Sequence, residues 1–160
     1  MRGYLKAPHW SKFKMETEQG VILTGVADDI WVVPKGIMIA DWKTARFTAN
    51  ADKLLPMYKT QLTGYAKIAE AIGMGVVVGI VLIYMEPQTD ESFVHHNTKA
   101  TCFDMTFLPT VMELELDIAS IDPLLEKARG IWELPGPPVG TEGCKDCAAL
   151  WAIQDLTIEI

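Results

Sequence analysis

The chain has 160 residues, 49% hydrophobic and 22% charged, which suits one globular domain with a sizeable core and excludes a disordered or collagen-like chain. Its formal charge of −7 excludes a broad basic surface, so any nucleic acid would have to be met by a local patch and by bound cations. The most apolar run, 74–85, is too short to cross a bilayer as a helix, and the first ten residues lack a secretory core, so a cytoplasmic protein with reduced thiols and no membrane partner is expected.

Taken in order, residues 12–18 alternate weakly around Phe13 and Met15, and Gln19-Gly20 supplies a turn, which predicts a first strand. A second, long strand follows over 21–33, rich in Val, Ile and Trp, with Gly25 marking a bend or a close backbone approach. Pro34-Lys35-Gly36 breaks it, and residues 37–42 form the third strand. Residues 45–55, with Thr48, Asn50 and Asp52, read as a loop into a helix whose first turn holds Pro56 and which Gly73 stops. Its spacing puts Tyr58, Gln61, Tyr65, Ile68 and Ile72 on one side.

The continuous apolar run over 76–84 predicts a central strand covered on both faces. Residues 87–99 turn polar and are expected to loop out, His95-His96 among them as solvated side chains. Phe103, Met105 and Phe107 then alternate as a strand would, and 111–118 fits either a strand or a helix. From Ile121 to Trp132 the apolar spacing is that of an amphipathic helix, ended by Pro135-Gly-Pro-Pro138. No internal repeat divides the chain, which reads as a single domain over 1–160 with a core of about 12–135 and a tail of 136–160 carrying Cys144-x-x-Cys147.

Residues 25–65 carry the chemistry. Side chains alternate along a strand, so Asp41 and Lys43 share a face and set a carboxylate beside an ammonium, an arrangement suited to phosphate. Register decides which aspartate joins them. With Lys35-Gly36 as a two-residue hairpin loop, Asp28 faces Lys43; a three-residue turn would bring Asp29 onto that face instead. Two carboxylates a few ångströms apart repel unless a proton or cation lies between them, which favours a divalent metal. Around them, Lys43, Arg46, Lys53, Lys59 and Lys67 stand against Asp52 alone, a local charge of +4 over 42–68.

Gly25-x-x-Asp28, Asp41-x-Lys43 and Gln61-x-x-x-Tyr65 occur in this order, on a predicted strand, strand and helix. Singly each is ordinary surface chemistry, but the ordered set resembles the PD-(D/E)XK nuclease superfamily, in particular its RecB-like exonuclease branch with the CRISPR-associated four-cysteine exonucleases. The likeness extends over about 12–150, and the wording GVADDIWVVPKG…IADWKTA is similar to a bacterial and phage-associated subgroup. It implies an α/β, restriction-endonuclease-like core, a central mixed β-sheet flanked by α-helices. It further implies a magnesium- or manganese-dependent deoxyribonuclease, an exonuclease of DNA repair, recombination, phage or CRISPR setting.

By that resemblance Asp28 and Asp41 hold the metal, with the backbone carbonyl of Trp42 as a further ligand. Lys43 orients the attacking water, Gln61 and Tyr65 position the lysine or the scissile phosphate, and Lys53 and Lys59 bind the DNA. The branch carries another metal-binding histidine or acid on a helix ahead of the first strand. Only His9 and Glu16 or Glu18 stand upstream here, so either an N-terminal portion is missing or the metal site is short of a ligand.

Cys144 and Cys147 match half of the cysteine cluster that holds an iron–sulfur centre in some relatives. With Cys102 in an apparent strand, this chain alone does not assemble four thiolates for that centre. Zinc shared with a histidine or a further segment, or plain thiols, are the alternatives. Two other functional readings stand beside the nuclease: a non-catalytic nucleic-acid-binding or scaffold module of the same fold, and an interaction domain organised by thiolate-bound metal.

Overall fold

A computed structural model of the chain describes residues 3–47, 53–94 and 104–158. Thr48, Asn50, Asp52, His95, His96, Cys102 and Phe103, and with them the expected strand around Cys102, lie outside the described residues. The fold is α/β, with a mixed five-stranded sheet in the order β1-β4-β5-β6-β7 and flanking helices. Its strands are β1 (Gly3–Leu5), β4 (Asp29–Val33), β5 (Gly36–Lys43), β6 (Val77–Pro87) and β7 (Phe107–Leu114). Among the described residues only β5 and β6 run parallel, and the helix α1 (Leu55–Ala71) makes the crossover that a parallel pair requires. Among the described residues no helix is long and apolar enough to cross a membrane.

The expected second strand is two strands. β2 (Lys14–Glu16) and β3 (Ile22–Thr24) form a separate antiparallel hairpin, and β4 joins the main sheet only from Asp29. Gly25 lies in the non-strand stretch between them, where the backbone leaves one sheet for the other. The hairpin caps α1 with Phe13, which is fully buried and meets the Tyr65 ring edge-on, centroids 5.9 Å apart.

The β4–β5 turn is Pro34-Lys35, with Val33 paired to Gly36. Lys35-Gly36 as the turn would have required Pro34 in the ladder, where it has no N–H to donate, whereas proline's fixed φ suits the first turn position. The change slips the register by two residues, which preserves every side chain's face. Ile37, Ile39, Asp41 and Lys43 therefore stay together, with Ile39 opposite Ile30 and both isoleucines buried beneath α1.

α1 holds Pro56 in its first turn and is closed by Gly73, whose N–H reaches the Glu70 carbonyl at 3.0 Å while the Met74 N–H reaches Ala69 at 2.9 Å. Leu62, Ala66 and Ala69 are buried as well as Ile68, so a wider arc of this helix is covered than one stripe predicts, and Ile72 is exposed. β6 lies between β5 and β7 and is buried on both faces: Ile80, Leu82 and Tyr84 look to α1, while Val81 and Ile83 join Ala40, Trp31 and Met38 on the other side.

Further corrections concern the second half. The strand after the polar loop begins at Phe107 and runs to Leu114, so 111–114 is strand, followed by a 3-10 turn at Ile118–Ile121. The loop after β6 contains a short helix, α2 (Glu91–Val94). α3 (Asp122–Trp132) is as expected, and the tail, read only as a cysteine-bearing segment, forms α4 (Lys145–Ile158). β1 pairs antiparallel with β4 as an edge strand that no periodicity announced.

Phe13 fills the space between the hairpin and α1 and has no polar atom to re-solvate. Phe13→Ala is expected to cost about 3–5 kcal/mol of stability, read as a lower urea midpoint with an unchanged slope.

Candidate functional site

Asp41 and Lys43, two apart in β5, share the face that α1 covers. The β4–β5 ladder ends at Asp29 opposite Ala40, so the next residue, Asp28, stands across from Asp41. The neighbouring aspartates part here. Asp28 Oδ2 accepts the Trp42 backbone N–H at 3.0 Å, whereas Asp29 turns to the opposite face and accepts the Trp42 indole N–H at 2.6 Å. Asp28 is therefore the aspartate that joins Asp41 and Lys43. A strand residue's N–H and C=O leave on the same edge, so the Trp42 carbonyl also faces the Asp28 side, beyond the last β4 pair.

Helix α1 supplies the other half. Gln61 Nε2 donates to the Tyr65 hydroxyl at 2.9 Å and, more weakly, to Asp41 Oδ1 at 3.4 Å. Tyr65 accepts in this bond, so its own proton is available to a ligand. Its ring lies so close to Gly25 that a Cβ there would be 2.2 Å from Tyr65 Cε1. Gly25 is thus the empty space that lets Tyr65, and through it Gln61, reach the carboxylates.

Lys43 is held from two sides. Its Nζ lies 2.5 Å from Asp41 Oδ2 and 4.4 Å from the centre of the Tyr58 ring, a cation–π contact. Tyr58 is the site residue that motif matching missed; its signal was the spacing Tyr58, Gln61, Tyr65, which is one helix face at i, i+3 and i+7.

Asp41 is 3% exposed. Burial raises its pKa, the Lys43 ammonium pulls it back down, and the Asp28 carboxylate raises it further. Apart from the lysine ion pair, Oδ2 has no hydrogen-bond partner. A buried carboxylate whose charge only Lys43 and a long contact from Gln61 meet, a second carboxylate across from it and a backbone carbonyl on the same edge form a hard oxygen donor set. Magnesium or manganese fits it, with water completing the shell. Among the described residues no three His, Cys, Asp or Glu side chains converge on one point, and the acidic side chains brought together here are two, Asp28 and Asp41. Of the upstream candidates, His9 is exposed and hydrogen-bonded with Ser11 at 2.9 Å, and Glu16 and Glu18 are exposed.

The local excess of positive charge does not survive folding as a free patch. Arg46 pairs with Glu86 at 3.5 Å, Lys59 with Glu115 at 2.8 Å and Lys67 with Asp122 at 2.9 Å, while Lys43 pairs with Asp41. The acids come from distant β6, from the stretch after β7 and from α3, and a charge count over a short window does not see them. Lys53 is exposed in the turn before α1. Lys59 lies two residues from Gln61 and so on a different side of the helix.

Cys144 and Cys147 lie together at the start of α4, both partly exposed, with the Cys147 N–H on Cys144 Sγ at 3.3 Å. Comparison with protein-family models, curated proteins and solved structures finds no match to this chain.

Asp41 binds its proton more tightly in the folded chain than in the unfolded one. Its contribution therefore favours folding at acid pH and is lost as the pH rises above 3.8 through the raised folded-state value. Metal-free Asp41→Asn is expected to lose less stability than the wild type between pH 4 and 8, and manganese is expected to raise the melting temperature of the wild type alone. A thermal-unfolding series with and without manganese tests both; identical pH slopes would contradict the role given to this carboxyl.

Proposed function

We propose that this protein is a metal-dependent deoxyribonuclease of the PD-(D/E)XK type. One observation carries the reading: a β-hairpin sets Asp28 across from buried Asp41, Lys43 lies on Asp41, and the crossover helix brings Gln61 and Tyr65 to the same point. What supports the reading is that the three resembling motifs fall on the hairpin and the crossover helix that precedes the parallel return strand.

In this reading Asp28, Asp41 and the Trp42 carbonyl hold magnesium or manganese. The ion, when bound, supplies a Lewis acid for the phosphoryl oxygen and makes a coordinated water more acidic. Asp41 takes a cation readily, because that neutralises a carboxylate which burial and Asp28 leave under-compensated. With a cation on Asp41, Lys43 would be free to hold the attacking water and the charge developing on the non-bridging oxygens, and the Tyr58 ring would keep its ammonium in place. Gln61 orients Asp41, and the Tyr65 hydroxyl donates a hydrogen bond to a phosphate oxygen. The water oxygen bonds to phosphorus as one P–O ester bond breaks; one water proton is lost as the nucleophile forms and the leaving alkoxide takes up one proton, so the products are a phosphomonoester and a free hydroxyl.

Lys53 and Lys59 bind the DNA strand in the same proposal. Lys59 exchanges the exposed Glu115 carboxylate for phosphate, a substitution that costs little because surface ion pairs are weak. A cytoplasmic setting, beside the DNA, belongs to this reading.

A second reading, a non-catalytic binding module of the same architecture, is favoured by the pairing of four cations with acids. Hydrolysis of single- and double-stranded DNA with magnesium or manganese decides between them. Asp41→Ala and Lys43→Ala should each fall at least about 100-fold below wild type with the fold retained. Equal activity in all three proteins would sink the nuclease, and metal binding by calorimetry without cleavage would favour the module.

A further inference from the structure

The cysteine pair takes no part in the proposed hydrolysis, and its geometry points to chemistry of its own. Cys144 stands immediately before α4, a 14-residue helix, and Cys147 is in the first turn. The i, i+3 spacing at a helix start brings the two sulfurs to the same end of one turn, and the Cys147 N–H donates to Cys144 Sγ at 3.3 Å. A second backbone contact orders the pair: the Ala148 N–H reaches the Cys144 carbonyl at 3.1 Å, so the turn that carries both cysteines is closed.

The two thiols are not equivalent. Cys144 receives the amide at the helix start, where a negative charge is favoured. Cys147 lies under the incoming loop, which passes so close that a Cβ on Gly140 would be 2.7 Å from Cys147 Cβ and 3.0 Å from its Sγ. Their acidities divide in the same sense: hydrogen bonds from the Cys147 thiol and amide lower the pKa of Cys144, and Cys144 in turn raises that of Cys147.

We propose that Cys144 and Cys147 form a redox-active dithiol, Cys144 the attacking thiol and Cys147 the resolving one, which exchanges with low-molecular-weight disulfides. The Cys144 thiolate attacks a disulfide RSSR, forming a Cys144–S–S–R mixed disulfide and expelling RS−, which takes up a proton. Cys147 then loses its proton and attacks the Cys144 sulfur, expelling the second RS−, which takes up that proton. The protein dithiol is oxidised to a disulfide and RSSR is reduced to two RSH.

Two features favour exchange over the other uses of a cysteine pair. Among the described residues no third Cys, His, Asp or Glu joins these sulfurs, whereas a structural zinc site closes with four ligands. A Cys144–Cys147 bond would also span only the residue before α4 and its first turn, so it would join no separate elements and act as no staple.

The proposal is independent of the nuclease reading, and its test reads sulfur chemistry alone. The full chain carrying Cys102→Ser is equilibrated in glutathione buffers of graded GSSG content, quenched with iodoacetamide and analysed by intact mass and peptide mapping. The expected result is a single two-electron transition to a Cys144–Cys147 disulfide. In the same background Cys147→Ser should stop at one glutathione on Cys144, and Cys144→Ser should react at Cys147 at least about tenfold more slowly. The proposal is overturned if the parent protein accumulates only glutathione adducts, if the two cysteines react at equal rates, or if stoichiometric zinc is bound at the pair and blocks the reaction.

Discussion

A carboxylate withdrawn from water beside an ammonium sets the terms for this molecule. Asp41 is buried by the same β5 face that builds the core, so its charge has to be met by what the fold brings to it: Lys43 from its own strand, Gln61 from α1 and, with the opposite effect, Asp28 from across the hairpin. Each partner is itself positioned by another group. Tyr58 holds Lys43, Tyr65 holds Gln61, and Tyr65 reaches its place only because Gly25 has no side chain. A cluster that keeps two carboxylates together, one of them buried, is costly as packing alone, and a bound cation would offset both the repulsion and the burial.

The other ion pairs differ from this one in exposure, and exposure decides what each can do. Lys67 is mostly covered where it meets Asp122, so this pair ties α1 to α3. Lys59 meets Glu115, whose side chain is 82% exposed, and such a pair is worth little and is readily exchanged. An acidic chain can thus present cations to an anion without a standing basic surface, by giving up weak internal partners.

Most of the site was legible because it depends on periodicity, which does not need the register to be right. The turn was misplaced by one residue at Pro34, yet Asp28, Asp41 and Lys43 still shared a face, since the resulting slip of two residues restores it. The same logic recovered the α1 face, where the i+3 and i+4 spacing that placed Gln61 beside Tyr65 also contained Tyr58. What was illegible depends on contacts between segments far apart in the chain. The basic window was neutralised by Glu86, Glu115 and Asp122, and β1 exists because β4 offers it an edge. Between β3 and β4 the strand signal was continuous, and only the requirement to reach both the hairpin and the main sheet interrupts it. The apolar residues of α4 are spread around the helix rather than gathered on one side, so no amphipathic stripe announces it.

The two chemically distinctive clusters therefore stand on different foundations. The carboxylate site gathers side chains from 28 to 65 through a ladder and a helix packing, so anything that loosens α1 from β5 disperses it. The cysteine pair needs four consecutive residues and the first turn of α4, with one glycine of the preceding loop leaving room. Its hydrogen bonds close within a single turn, so the geometry of the pair is set locally. The two clusters also share no residue: the carboxylate site draws on β4, β5 and α1, and the cysteine pair on the start of α4.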